Sequence, residues 1–140
     1  MGRLNTTLRK YRKAIDGQTV QIVEDEAQTR EMLRRTLAKE NWNIVEAENG
    51  RMALEKLNGL VPGLILLDLM MPEMDGFEFM QELRKRVECR QVPVVVITAK
   101  DITEEDRRRL NGEVARILQK SGLSMAELAA QVRSVASAQS

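Results

Sequence analysis

The feature that most constrains this chain is an alternation of two patterns. Short apolar runs rich in β-branched residues occur at TVQIV (19–23), NIVEA (43–47), GLILLD (63–68), VPVVVIT (92–98) and VARILQK (114–120). Between and after them lie stretches whose apolar residues recur every three or four positions, the spacing of one helix face. Met32, Leu33, Thr36 and Leu37 form one such stripe. Phe79, Met80, Leu83 and Val87 form another, and Met125, Leu128, Ala129, Val132 and Val135 a third. Helix starts are marked by Asn49, by Asp75 with Glu78, by Thr103 with Asp106, and by Ser124 with Glu127. Five strand-then-helix units with short connections predict an α/β fold. Its sheet is five-stranded, parallel and doubly wound, flavodoxin-like in the order 2-1-3-4-5, with helices on both faces. The third run is apolar throughout, as a strand covered on both sides must be.

Composition removes several function classes. The 140 residues fit one domain, with 43% hydrophobic and 31% charged residues. A net charge of +1, from 22 basic and 21 acidic residues, gives no general reason to expect nucleic-acid binding. No apolar run approaches a membrane span, and the basic N-terminus has no apolar signal core. Cys89 is the only cysteine, so no internal disulfide forms and the cytoplasm is the expected location. There is no histidine, which excludes histidine-based zinc sites and Ser-His or Cys-His catalysis.

In a doubly wound sheet, ligands bind at the carboxyl ends of the strands. Those ends carry Glu24, Asp25 and Glu26 after the first strand and Asp68 after the third. Thr98 ends the fourth and Lys120 the fifth. Each has an ordinary reading alone: a turn residue, a helix N-terminal charge, a strand threonine, a solvated lysine. Converging in one shallow pocket, they suit phosphoryl transfer onto a carboxylate. Crowded carboxylates repel and raise one another's pKa, and a hard cation such as Mg2+ relieves this. An aspartate there can act as nucleophile, with the lysine and the hydroxyl serving the phosphoryl oxygens.

The stretches QIVEDE, LILLDLMMPEMDGFEF, VVVITAKD and RILQK, in this order, resemble the response-regulator receiver domain of two-component signalling. The resemblance covers about residues 19–136. It implies that Asp68 is the phosphoacceptor, that Asp25 binds Mg2+ directly and Glu24 through water, and that the Met70 carbonyl adds a ligand. It further implies that Thr98 is the hydroxyl that moves towards the phosphoryl group, beside the Ala99 amide, and that Lys120 binds that group. A histidine kinase or phosphotransfer protein is the implied donor, and the domain catalyses only its own phosphorylation and dephosphorylation. The stretch ITEEDRRRLNG is similar to receivers of hybrid histidine kinases, which favours a piece of a longer protein over a stand-alone receiver.

Two departures bear on output. Receivers usually have an aromatic residue where Ile117 stands, and proline where Ser121 follows the lysine. Without the aromatic partner of the threonine, the expected switch is the charged segment 100–112, with a surface formed by the fourth helix, bearing Arg107 and Arg108, and the fifth strand. Met70 and Lys100 are expected at the pocket rim. Lys100 there either pairs with a phosphoryl oxygen or is merely solvated.

Other readings fit less well. An aspartyl-phosphate hydrolase of haloacid dehalogenase type needs Asp-x-Asp, and here the residues are Asp68-Leu69-Met70. A flavodoxin-like nucleotide binder needs a phosphate loop where EDEAQTRE is acidic. A docking pseudo-receiver without phosphorylation is disfavoured because every pocket residue is present. Ahead of the receiver (18–140), residues 1–17 read as a helical extension, with Leu4, Leu8, Tyr11 and Ile15 on one face. That helix is a contact for a second copy of the chain or the tail of an upstream coiled coil.

Overall fold

This computed structural model describes residues 15–110 and 112–139. The strands are β1 (Ile15–Val23), β2 (Asn43–Ala47), β3 (Val61–Leu67), β4 (Val94–Thr98) and β5 (Arg116–Gln119). The helices are α1 (Ala27–Lys39), α2 (Gly50–Lys56), α3 (Gly76–Arg84), α4 (Glu104–Leu110) and α5 (Met125–Gln139). All strand pairs are parallel and the order is β2-β1-β3-β4-β5, as the sequence predicts.

Alternation along the central strands splits the apolar core in two. Ile65, Leu67, Val94 and Val96 meet α2, α3 and α4 through Ala53, Phe79, Leu83 and Leu110. Leu64, Leu66, Val95 and Ile97 meet α1 and α5 through Leu33, Leu37, Leu128 and Val132. All of these are buried, so both faces of β3 and β4 are covered. The expected caps form. The Asn49 side chain accepts from the Met52 amide at 2.8 Å. Asp75 and Glu78 close a reciprocal capping box, and the Ser124 hydroxyl accepts from the Glu127 amide.

Several expectations are corrected. β1 begins at Ile15, paired with Val61, and a register shift separates Asp16 from Val20. The expected helix therefore does not extend to Ile15, and the 17/18 boundary falls inside a strand. The rest of that pattern, residues 1–14, lies outside the described residues. Val87 is 70% exposed, because α3 ends at Arg84 and a 3-10 turn over Val87–Cys89 redirects the chain. Met32 is 52% exposed, at the edge of the stripe that buries Leu33 and Leu37.

Candidate functional site

The site is built where β1, β3, β4 and β5 end together. The hydrogen bonds Glu24 N to Ala47 O and Asp68 N to Val23 O, each 3.0 Å, align the ends of β1, β2 and β3. The Lys120 amide donates to the Thr98 carbonyl at 2.9 Å and sets β5 against β4. Backbone pairing thus brings five side chains from distant sequence positions to one place.

Glu24, Asp25 and Asp68 each offer a carboxylate oxygen, and the three lie within 4.8 Å of one another. Glu24 and Asp68 are buried, while Asp25 is exposed at the mouth. Lys120 Nζ lies 2.8 Å from Glu24 Oε1 and 3.4 Å from Asp68 Oδ2. The nearer contact pairs charge but is poorly aimed for a hydrogen bond, so Glu24 Oε1 keeps a buried lone pair without a directed donor. Its other oxygen accepts from the Glu26 amide at 3.1 Å. Asp68 Oδ1 accepts from the Met70 amide at 3.1 Å, which leaves Oδ2 on the Lys120 side.

Burial pushes the Glu24 carboxyl up to about 7, against the pull of Lys120 and the Glu26 amide, and the Asp68 charge adds to the rise. Burial works against the Lys120 ammonium, but its pairing with Glu24 and then with Asp68 outweighs that and raises its pKa. Lys120 therefore stays charged, and the pocket holds more carboxylate than one ammonium neutralises. That donor set of hard oxygens fits Mg2+ or a similar divalent cation.

Thr98 is fully buried, and its hydroxyl accepts from the Lys100 amide at 3.1 Å. Ala99 is exposed beside it. The Met70 side chain is 56% exposed, as a rim position requires. Lys100 is neither free nor directed at Asp68, because its ammonium pairs with Asp106. No cis peptide occurs among the described residues, in keeping with Ser121 in place of proline.

Gly76 shapes the loop after Asp68. A Cβ there would lie 2.6 Å from Leu69 Cα and 2.9 Å from the Asp68 carbonyl oxygen, so only glycine lets α3 start this close. One side chain in contact with the site's first loop escaped the sequence reading. Arg30 on α1 donates to the Glu24 carbonyl at 2.8 Å and pairs with Glu46 at 3.3 Å. Arginine on an amphipathic helix ordinarily reads as a solvated charge, and nothing local marks this one as different.

A model of the response regulator receiver domain matches residues 20–133, and the chain belongs to that family. It is similar to the phosphate regulon transcriptional regulatory protein PhoB of Escherichia coli (strain K12). The identity is 43% over 88 residues, covering 63% of this chain and 38% of that protein. It is also similar to histidine kinase P4 of Formosa agariphila, 38% identical over 82 residues, covering 59% of this chain and 6% of the kinase. The chain thus spans well under half the length of either relative. Among solved structures, it resembles the signal receiver domain of a signal transduction histidine kinase from Syntrophus aciditrophicus. There the TM-score is 0.76 at 28% identity, over 86% of this chain and 90% of that one. The response regulator protein TrrA from Thermotoga maritima, in complex with Mg2+-BeF, gives 0.74 at 29% identity, over 84% and 98%. No helix of the described residues is long and apolar enough to cross a membrane.

Proposed function

We propose that this domain takes a phosphoryl group onto Asp68 from a phosphohistidine of a histidine kinase or phosphotransfer protein. The observation that carries the reading is the meeting of Asp68 with Glu24, Asp25 and Lys120 at the strand ends. Asp68 Oδ1 is held by the Met70 amide, so Oδ2 is the attacking oxygen. A new P–O bond forms there as the P–N bond breaks, and the bonding pair leaves with the imidazole, which takes up a proton. Glu24, Asp25, Asp68 and the Met70 carbonyl would hold Mg2+, with Glu24 acting through water. When bound, the cation neutralises phosphoryl oxygen charge that the acidic pocket would otherwise repel. Lys120 pairs with a phosphoryl oxygen once Asp68 Oδ2 carries the phosphoryl group as an acyl phosphate, and the Thr98 hydroxyl and Ala99 amide donate to the others. Drawing Thr98 inward releases the Lys100 amide and alters the start of α4, so the surface of α4 and β5 becomes the readout.

Incubation with acetyl phosphate and Mg2+ tests this. One phosphoryl group is expected per chain, and none in Asp68→Asn. Undiminished labelling of that variant would refute the assignment. The presence of every pocket residue argues against a phosphorylation-independent docking role, and Leu69-Met70 after Asp68 argues against a haloacid dehalogenase-type hydrolase.

A further inference from the structure

We infer that Arg30 is a positioning residue for the cation site, acting through the backbone of Glu24; this rests on the metal-dependent reading above. Arg30 sits on the first turns of α1, where its own amide donates to the Glu26 carbonyl at 2.9 Å. Its guanidinium turns back over the acidic loop. Nη1 donates to the Glu24 carbonyl at 2.8 Å, and Nε pairs with Glu46 Oε1 at 3.3 Å. Its side chain is only 19% exposed. Glu46 lies on β2, directly across from Ile22 in the parallel register. One planar group therefore spans the ends of two strands and fixes where the first of them turns into its loop.

That loop carries two of the three carboxylates. The Glu24 amide is held by Ala47 and the Glu24 side chain by Glu26 and Lys120. The Glu24 carbonyl is held by Arg30. Without that last bond, the peptide joining Glu24 to Asp25 is free to rotate. Asp25 is exposed and has no burial to restrain it, so the angle at which it meets the cation depends on that peptide. A lysine is a single point charge and cannot fork between a carbonyl and a carboxylate as a guanidinium does.

Charge and geometry predict opposite signs here. Arg30 is a cation near a cation site, so a purely electrostatic role predicts tighter Mg2+ binding when it is removed, the more so because Glu46 is left unpaired. A positioning role predicts weaker binding. The experiment is isothermal titration of the full chain with MgCl2 for wild type, Arg30→Met and Arg30→Lys. Metal-free amide exchange at residues 25–27 is measured alongside. In Arg30→Met the Mg2+ dissociation constant is expected to rise about tenfold, and the metal-free exchange at 25–27 to quicken. Arg30→Lys, with its charge kept, is expected to fall between that variant and wild type. Mg2+ binding as tight as wild type in either variant would overturn the inference, as would weaker binding with unchanged exchange in the loop. If Arg30→Met does not fold, Arg30→Lys decides alone. Absence of Mg2+ binding by the wild type would instead strike the metal-dependent reading itself, and the inference with it.

Discussion

Lys100 Nζ lies 2.8 Å from Asp106 Oδ2, joining the residue two after Thr98 to the first turn of α4. The same Asp106 oxygen accepts from the Thr103 amide at 3.0 Å, and the Asp106 amide donates to the Thr103 hydroxyl at 3.1 Å. The Lys100 amide in turn holds the Thr98 hydroxyl. A continuous polar path therefore runs from the pocket threonine to the cap of α4, on the side of the sheet where Ile117 replaces the usual aromatic residue.

With its ammonium engaged by Asp106, Lys100 is not poised over Asp68. Lys100→Ala is expected to leave the decay of the phosphorylated state nearly unchanged and to quicken amide exchange across Glu104–Leu110. With beryllofluoride and Mg2+, wild type is expected to change its exchange in that helix. Protection changes confined to the loop after Asp68 would show that α4 does not take part.

Stability and metal affinity are expected to move in opposite directions with pH. The folded pKa of Glu24, about 7, lies above its ordinary value of 4.5, so the protonated carboxyl is the form that favours folding. That contribution is complete below the ordinary value and is lost as pH rises through about 7. The metal-free melting temperature should thus fall as pH rises from about 4.5 to about 7 and level off above that. Mg2+ binding needs the carboxylate, so affinity should rise over the same window with release of a proton. Thermal melts with and without Mg2+ check both signs, and Glu24→Gln should flatten both profiles.

Gly76→Ala is expected to destabilise the domain and to disturb its chemistry. The atoms a new Cβ would meet include Leu69 Cα and the Asp68 carbonyl, backbone that cannot swing aside as a flexible side chain can. Overpacking of this kind costs about 1–3 kcal/mol. Relief requires moving the loop that places the Met70 amide on Asp68, so phosphorylation by acetyl phosphate should slow as well. Urea unfolding and labelling together check it, and wild-type values in both would show that α3 retreats freely.

The sequence disclosed what depends on short-range pattern. Short apolar runs located β2, β3, β4 and β5, and the carboxyl ends of the last three then named Asp68, Thr98 and Lys120 without any structure. Caps were legible because their partners lie three residues apart. What stayed hidden depends on side chains crossing between elements. Arg30 and Glu46 are sixteen positions apart by number and meet only because β1 and β2 are neighbours. Lys100 was read against its ordinary solvated role, and its partner became visible only once the chain folded back at α4. Val87 fitted the helical period but fell past Arg84, where the chain turns away. Ile15 fitted a helix stripe equally well, yet pairing with Val61 claimed it for β1.

The sheet also divides the molecule into two mechanical halves. By alternation, Thr98 shares a face with Val94 and Val96, whose cluster includes Leu110 of α4 and is joined by the half-buried Ile117. The cluster on the other face, with Leu33, Leu37, Leu128 and Val132, draws on α1 and α5. A displacement of Thr98, as proposed above, would therefore be accommodated among α2, α3 and α4 and would reach the opposite side only through the strands, which are tied by their ladders. If Asp68 is phosphorylated as proposed, one half is expected to serve as a chassis and the other as the moving part, so a partner resting on α1 and α5 would meet the same surface before and after.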